Sequence, residues 1–244
     1  MNLKNLPSPL IEYDTVSTIE KIGGFPLHLN SIRDLDKALD EICSRYETNS
    51  PQEEEQLLNL CPYFGVIWPS ARALATFMSE RKKLFNKKRG IEVGCGLALP
   101  AILAAKMGAQ IQATDFHPDV AAWVKSNADL NNARIDYVKW DWTDQTTNPA
   151  IAIRSYDFVL ASDVLYESRH PKELANALER LVSPTGSIYL SDPGRAYLKH
   201  ALEALEKLGF DRADFEFEVE ESSSLPEHRL EKTRKVQVFE FRRT

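Results

Sequence analysis

The sequence predicts an α/β protein with a doubly wound, mostly parallel sheet of seven strands, an antiparallel edge strand and an N-terminal cap. From residue 61 onward, short apolar segments alternate with amphipathic ones, the pattern of strands joined by crossover helices. The first of these strands runs directly into a glycine turn at Gly94 and Gly96. The last two β segments leave no space for a helix between them, so we expect them to pair antiparallel at one edge.

The predicted strands and helices follow one another in regular order. Strands are expected at residues 89–93, 109–114, 135–140, 156–161, 186–190, 210–219 and 235–241. Helices are expected at residues 70–80, 99–107, 118–130, 171–181 and 193–208. Asp192-Pro193 is a typical start for the last helix, since aspartate is a good N-cap and proline suits the first helical position. The pattern assigns residues 61–244 to one domain.

Residues 1–60 differ from the rest and are expected to form a cap on that domain. Residues 10–21 alternate loosely between polar and apolar side chains and end at Gly23-Gly24, which suggests a short hairpin. A helix is expected to begin with Ser31 as its N-cap. The polar residues 49–55 are expected to form a break after that helix.

Composition limits the classes of protein that fit. The chain has 244 residues and a formal net charge of −6, which disfavours general binding to nucleic acid. No apolar run approaches the roughly 18 residues of a membrane span, and no secretory signal follows Met1. Cys43, Cys61 and Cys95 are far apart and lack the spacing of metal ligands. We therefore expect a cytoplasmic protein without a metal site or disulfide bonds.

The glycine turn is the first candidate ligand site. Gly94 and Gly96 connect a strand to a helix, and glycine lets the backbone turn sharply and lets a ligand approach the main chain. Leu99 stands where a dinucleotide fingerprint has its third glycine, so a pyrophosphate cradle is poorly supported. Glu92 precedes the turn, where a carboxylate would repel a pyrophosphate but suits the water or ammonium of an aminoacyl tail.

Acidic and aromatic side chains follow the next two strands. Asp115 comes nineteen residues after Gly96, where a carboxylate can accept hydrogen bonds from both hydroxyls of a ribose. Asp141 and Trp142 follow the third strand and suit the amino group and the face of an adenine. Asp115 is also a possible helix cap, and Trp142 a possible core aromatic. Because the carboxyl ends of parallel strands meet at one edge, these residues predict a nucleoside site there.

These motifs resemble the cofactor signature of the seven-β-strand S-adenosylmethionine-dependent methyltransferases, which have a Rossmann-like fold. The resemblance covers residues 63–244. Within that superfamily, residues 63–70 and 161–166 resemble segments of the protein lysine methyltransferases. Residues 192–195 resemble the group similar to the electron-transfer-flavoprotein β-subunit lysine methyltransferase. The resemblance implies that S-adenosylmethionine is the cofactor.

The resemblance also implies roles for individual residues. The residues expected to contact the cofactor, or to lie beside its tail, are Trp68, Glu92, Gly94, Gly96, Asp115, Asp141, Trp142 and Ala161. Asp163 and Tyr166 would line the access of the accepting amine, with Asp163 holding the incoming ammonium and Tyr166 orienting the neutral amine. For Arg195, a purely structural role and contact with the substrate are equally compatible with the sequence.

The expected function is methylation of a lysine side chain of a protein. A small-molecule N-methyltransferase acting on a nicotinamide-like amine fits the sequence nearly as well. Leu99 and the lack of a Tyr-x-x-x-Lys relay disfavour an NAD(P)-dependent oxidoreductase. The intact set of Glu92, Gly94, Gly96 and Asp115 argues against a binding domain without turnover, but the sequence alone leaves that alternative open. The proline-rich motif of adenine-N6 methyltransferases is missing at residues 162–165. The identity of the acceptor, the number of methyl groups added and the oligomeric state do not follow from the sequence.

Overall fold

The structure is a computed structural model that describes residues 9–46, 48–144, 148–221 and 233–243. The first eight residues of the predicted cap lie outside the described residues. The strands are β1 (Thr15–Ile22), β2 (Phe25–Ile32), β3 (Arg89–Val93), β4 (Gln110–Asp115), β5 (Ile135–Lys139), β6 (Tyr156–Ser162), β7 (Val182–Asp192), β8 (Phe210–Glu220) and β9 (Thr233–Arg243). The helices are α1 (Leu35–Arg45), α2 (Pro51–Leu58), α3 (Pro69–Glu80), α4 (Leu99–Lys106), α5 (Val120–Leu130), α6 (His170–Leu181) and α7 (Leu198–Lys207).

The main sheet has the order β5-β4-β3-β6-β7-β9-β8, which confirms the predicted doubly wound sheet of seven strands. Strands β3 to β7 pair in parallel, and β9 runs antiparallel to both β7 and β8. The closing pair therefore lies at one edge, as predicted, with β9 between β7 and the outermost strand β8. The strand order reverses between β3 and β6, and ligands of such sheets bind outside the carboxyl ends of the strands at this switch point.

Helices cover both faces of the sheet and bury it in two apolar layers. Helices α3, α4 and α5 pack on one face, and α6 and α7 pack on the other. Strand β6 is buried along nearly its whole length because it lies between these layers. Among the described residues, no helix is long and apolar enough to cross a membrane.

The hairpin predicted at Gly23-Gly24 is confirmed as β1 and β2, but the next two predictions need correction. Ser31 does not cap a helix; it continues β2 by pairing with Val16, and Asp34 caps α1 instead. Residues 49–55 do not form a break, because they include most of α2. Ser50 caps this helix by accepting a hydrogen bond from the N–H of Glu53 at 3.2 Å.

The prediction of a helix beginning at Pro193 is also wrong. Asp192 is the last residue of β7, and α7 begins only at Leu198. The Asp192 carboxylate accepts hydrogen bonds from the N–H groups of Gly194 and Arg195, both at 2.7 Å. Both bonds go to one carboxylate oxygen, Oδ1, and stabilise a turn in place of the predicted helix start.

Asn127 of α5 and Asn131, the C-cap of that helix, attach the hairpin to the main domain. Asn131 pairs with the backbone of His28, accepting from its N–H at 2.9 Å and donating to its carbonyl at 2.6 Å. Asn127 pairs with the backbone of Asn30 in the same way, at 2.8 Å and 3.2 Å. Leu27, on the opposite face of β2, is fully buried in the core that α3 and α4 share. The hairpin therefore shares an apolar core with the main domain.

Candidate active site

The glycine turn after β3 has the backbone conformation that only glycine adopts readily. Gly94 and Gly96 have φ values of +65° and +49°. A Cβ atom at Gly94 would lie 2.8 Å from Cγ1 of Val164, and one at Gly96 would lie 3.2 Å from the carbonyl oxygen of Phe64. The turn is thus closely packed against the loop after β6 on one side and the chain before α3 on the other.

Glu92 lies beneath the start of α4 and is fully buried. Its Oε2 accepts a hydrogen bond from the N–H of Ala101 at 2.9 Å, whereas Oε1 has no partner among the described residues. Burial raises the pKa of Glu92 to about 8, and the charge of Asp115 acts in the same direction. The site therefore contains a buried acceptor with unused hydrogen-bonding capacity.

Asp115, at the carboxyl end of β4, joins two loops of the site. Its Oδ2 accepts a hydrogen bond from the N–H of Gly96 and its Oδ1 one from the N–H of His117, both at 3.0 Å. Burial raises the pKa of Asp115, while these backbone hydrogen bonds act against that rise. The carboxylate is held in one orientation at the edge where the sequence predicts a nucleoside.

A cavity of about 390 Å³ opens at the carboxyl ends of β4, β5 and β6. The end of β5, the loops after these strands and the start of α6 contribute Phe116, Pro118, Lys139, Asp141, Trp142, Thr143, Tyr166, Glu167, Arg169 and His170. The remaining wall comes from α2 and the residues after it, namely Gln56, Asn59 and Leu60. This wall was not predicted, because the sequence indicated no helix at residues 51–58.

An aromatic cluster forms the floor of this cavity. Trp142 is buried, and its Nε1 lies 4.0 Å from the position of a Cβ at Gly94. The ring of His170 contacts both Trp142 and Tyr166, with centroid distances of 4.8 Å and 4.6 Å. Burial lowers the pKa of His170 and so favours its neutral ring, while the charge of Glu167 acts in the opposite direction. Tyr166 is 51% exposed and forms the rim.

Asp163 lies on the loop after β6, three residues before Tyr166, and is buried, with a left-handed backbone at φ +61°. Its Oδ1 accepts a hydrogen bond from Nε of Arg195 at 2.5 Å and forms an ion pair with Nη2 at the same distance. Its Oδ2 accepts a hydrogen bond from the hydroxyl of Ser70 at 3.2 Å. The carboxylate expected to face the acceptor thus already has protein partners on both oxygens.

The remaining predicted residues lie on either side of the switch point. Ala161 is fully buried near the end of β6 and pairs with Val93, the residue before the glycine turn. Trp68 precedes α3, and its Nε1 donates a hydrogen bond to the carbonyl of Tyr63 at 2.9 Å. The structure therefore gathers Glu92, Gly94, Gly96, Asp115, Trp142 and Ala161 around the turn, and places Trp68 at the start of the helix that contacts Asp163.

The chain is similar to known lysine methyltransferases in both a family comparison and a comparison with individual proteins. A family described as lysine methyltransferase matches residues 52–205. The chain is 30% identical over 173 residues to protein-lysine methyltransferase METTL21E of Bos taurus, a match that covers 67% of this chain and 57% of that protein. It is 27% identical over 138 residues to the electron transfer flavoprotein beta subunit lysine methyltransferase of Xenopus laevis, covering 55% and 54% of the two chains. The chain thus spans less than two thirds of the length of these relatives.

A solved structure supports the fold. The precorrin-6y C5,15-methyltransferase of Geobacter metallireducens superposes with a TM-score of 0.53 and 17% sequence identity. The match covers 68% of this chain and 88% of that one. At this identity the similarity concerns the sheet and its covering helices alone.

Proposed function

This chain belongs to the lysine methyltransferase family, and we propose that it transfers a methyl group from S-adenosylmethionine to a lysine side chain of a protein. The observation that carries the proposal is the family match over residues 52–205, which includes the glycine turn and the loops around the 390 Å³ cavity. Both named relatives described above are lysine methyltransferases that act on proteins.

The residues at this edge fit the proposed cofactor. The free Oε1 of Glu92 suits the ammonium of a methionine tail or a water bound to it. Asp115 is oriented to accept hydrogen bonds from ribose hydroxyls, and Asp141 and Trp142 line the cavity where an adenine would lie. Gly94 and Gly96 give the turn beside the cofactor its positive-φ backbone, with Trp68 and Ala161 as further proposed contacts. S-adenosylmethionine supplies an electrophilic methyl group on a sulfonium.

The acceptor side is assigned to Asp163 and Tyr166. Methyl transfer needs a neutral amine, aligned and at about 3 Å from the methyl carbon, whereas a free lysine has a pKa of about 10.4. The half-exposed ring of Tyr166 at the rim can orient an amine that enters from outside. Asp163 and its partners fix the loop that carries Tyr166.

The cavity opens to solvent, which suits an acceptor that is a side chain of another protein. Its rim includes Tyr166 from the main domain and Gln56 from α2, both exposed, so a side chain of another protein can reach between them. We propose that residues 1–60 act as a cap that contributes this wall to the domain formed by residues 61–244. The free cysteines, Cys43, Cys61 and Cys95, suit the reducing cytoplasm in which we place the protein.

The proposal is tested in two steps. Calorimetric titration with S-adenosylhomocysteine should give binding in the micromolar range, and NAD should give none. Incubation with labelled S-adenosylmethionine and cell lysate should then place the label on protein, and hydrolysis should yield methylated lysine. Binding of NAD alone would contradict the cofactor assignment, and label confined to small molecules would replace the protein acceptor by a small amine.

A further inference from the structure

The Asp163 carboxylate is paired with a cation of the protein itself. Nε and Nη2 of Arg195 both lie 2.5 Å from Oδ1, and the Asp163 side chain is only 4% exposed. Charge-assisted hydrogen bonds of this kind, shielded from water, are among the stronger polar interactions in proteins. Asp163 therefore brings little uncompensated negative charge to the acceptor side.

Arg195 is held in place by a second carboxylate. Asp192 is fully buried, and its Oδ1 accepts the hydrogen bond of the Arg195 N–H at 2.7 Å. The Asp163 N–H donates to the carbonyl of Ser191 at 3.0 Å, so the loops after β6 and β7 are also joined through their backbones. The guanidinium thus bridges two loops at the carboxyl edge, while its own side chain remains 33% exposed.

The pair lies next to the proposed reaction site. Val164 follows Asp163 directly and packs against the glycine turn, since a Cβ at Gly94 would lie 2.8 Å from its Cγ1. Tyr166, two residues further on, forms the rim of the cavity. An unpaired charge at Asp163 would therefore act on any amine brought to this side.

We infer that Arg195 is a specificity-determining positioning residue, which cancels the charge of Asp163 so that the acceptor side favours a neutral amine over an ammonium. The inference rests on the proposed function, in which the acceptor is an amine. A lone carboxylate near an amine stabilises its charged form, and a charged amine has no lone pair for methyl transfer. With Arg195 in place, Asp163 orders the loop without holding the amine in its unreactive form.

The test measures binding of n-butylammonium at neutral pH to the protein saturated with S-adenosylhomocysteine. Arg195→Met removes the compensating charge and should tighten binding by about tenfold, equivalent to one unit of amine pKa. Asp163→Asn leaves Arg195 unpaired and should weaken binding. The double variant Asp163→Asn/Arg195→Met removes both charges and should bind like the wild type. Arg195→Lys keeps the charge with different geometry and should bind like the wild type even if it is less stable.

Affinity for S-adenosylhomocysteine, measured for each variant, reports whether the site is still folded. If Arg195→Met does not fold, the opposite change expected for Asp163→Asn still tests the inference. Equal affinity for n-butylammonium in wild type and in every folded variant, or no measurable binding to any of them, would overturn it.

Methyl transfer supplies an independent readout. In Arg195→Met the pH midpoint at which kcat/KM rises should be about one pH unit higher than in the wild type. The double variant should return this midpoint to the wild-type value. If the binding results are as expected but the wild type methylates no lysine, the proposed function fails while the role of Arg195 in setting the charge stands.

Discussion

The Asp115 carboxylate accepts a hydrogen bond from the N–H of Gly96, 3.0 Å away, and so ties the end of β4 to the turn after β3. The turn and the acid are separated by a whole helix in the chain, yet β3 and β4 are neighbours in the sheet. One carboxylate therefore shapes the glycine turn, and its remaining lone pairs suit the ribose proposed at the same edge.

Replacing Asp115 by alanine should weaken binding of S-adenosylhomocysteine by about 100-fold, because two charge-assisted hydrogen bonds to a ribose would be lost. Calorimetric titration measures the affinity, and circular dichroism checks that the fold is retained. Asp129→Ala is the matched control, since Asp129 is an exposed acid whose one ion pair among the described residues is with Lys125, at 2.6 Å. Unchanged affinity in Asp115→Ala would rule out the ribose assignment.

Glu92 should make the protein without cofactor less stable as the pH rises. Its pKa is raised from 4.5 to about 8, so between these values the folded protein binds a proton that the unfolded chain releases. Its contribution to stability is therefore full below pH 4.5 and is lost as the pH rises through about 8. Glu92→Gln has no proton to lose and should flatten this dependence.

Chemical unfolding from about pH 5 to about pH 9 measures this effect as the free energy of unfolding. The exposed Glu54→Gln serves as control and should follow the wild type. The same pH slope in Glu92→Gln and wild type would show that Glu92 is not protonated in the folded protein.

The sequence was a good guide wherever burial left a regular pattern. Strand β6 is buried on both faces, so its apolar run identified it to within one residue at its end. The glycine turn was equally clear, because Gly94 and Gly96 need a backbone conformation that other residues avoid. The carboxyl ends of parallel strands meet at one edge of the sheet, so the side chains that follow those strands were correctly expected to lie there together.

The elements that were mispredicted depend on contacts that apolar periodicity does not reveal. Ser31 stays in β2 because β1 offers it a partner, and this pairing outweighs its preference for a helix start. Only Leu57 is buried in α2, so the helix shows little apolar pattern. Its start carried a signal nonetheless, since Ser50 and Glu53 have the spacing of a capping box.

Parts of the site depend on the tertiary fold. Arg195 and Asp163 are 32 residues apart, and nothing local indicates which carboxylate the arginine meets. His170 was missed because a single histidine at a helix start has no distinctive spacing. Its role as the ring between Trp142 and Tyr166 appears only once the loops after β5 and β6 are brought together.

Asn131→Ala should destabilise the protein by about 1–3 kcal/mol, because it leaves the N–H and carbonyl of His28 without their partner. Urea unfolding measures the loss, and hydrogen exchange at the His28 amide should speed up. Lys125→Ala in α5 is the control, since its side chain is 77% exposed and, within the part of the chain that the structure describes, pairs with Asp129 alone. An unchanged exchange rate at His28 would mean that the hairpin is held by its apolar contacts alone.

Tyr166 should act in turnover and not in cofactor binding. Partial desolvation raises the pKa of Tyr166 to about 12, although about half of its surface is exposed, so the hydroxyl stays protonated over the working pH range and can orient an amine but not remove its proton. Tyr166→Phe should therefore lower kcat by about tenfold without changing the pH profile, and Tyr166→Ala should lower it further through loss of the ring. The rate of methylation of a protein acceptor measures turnover, and the affinity for S-adenosylhomocysteine measures cofactor binding. A fully active Tyr166→Ala would remove the residue from the acceptor side, and an equal loss of cofactor affinity would assign it to the adenosine instead.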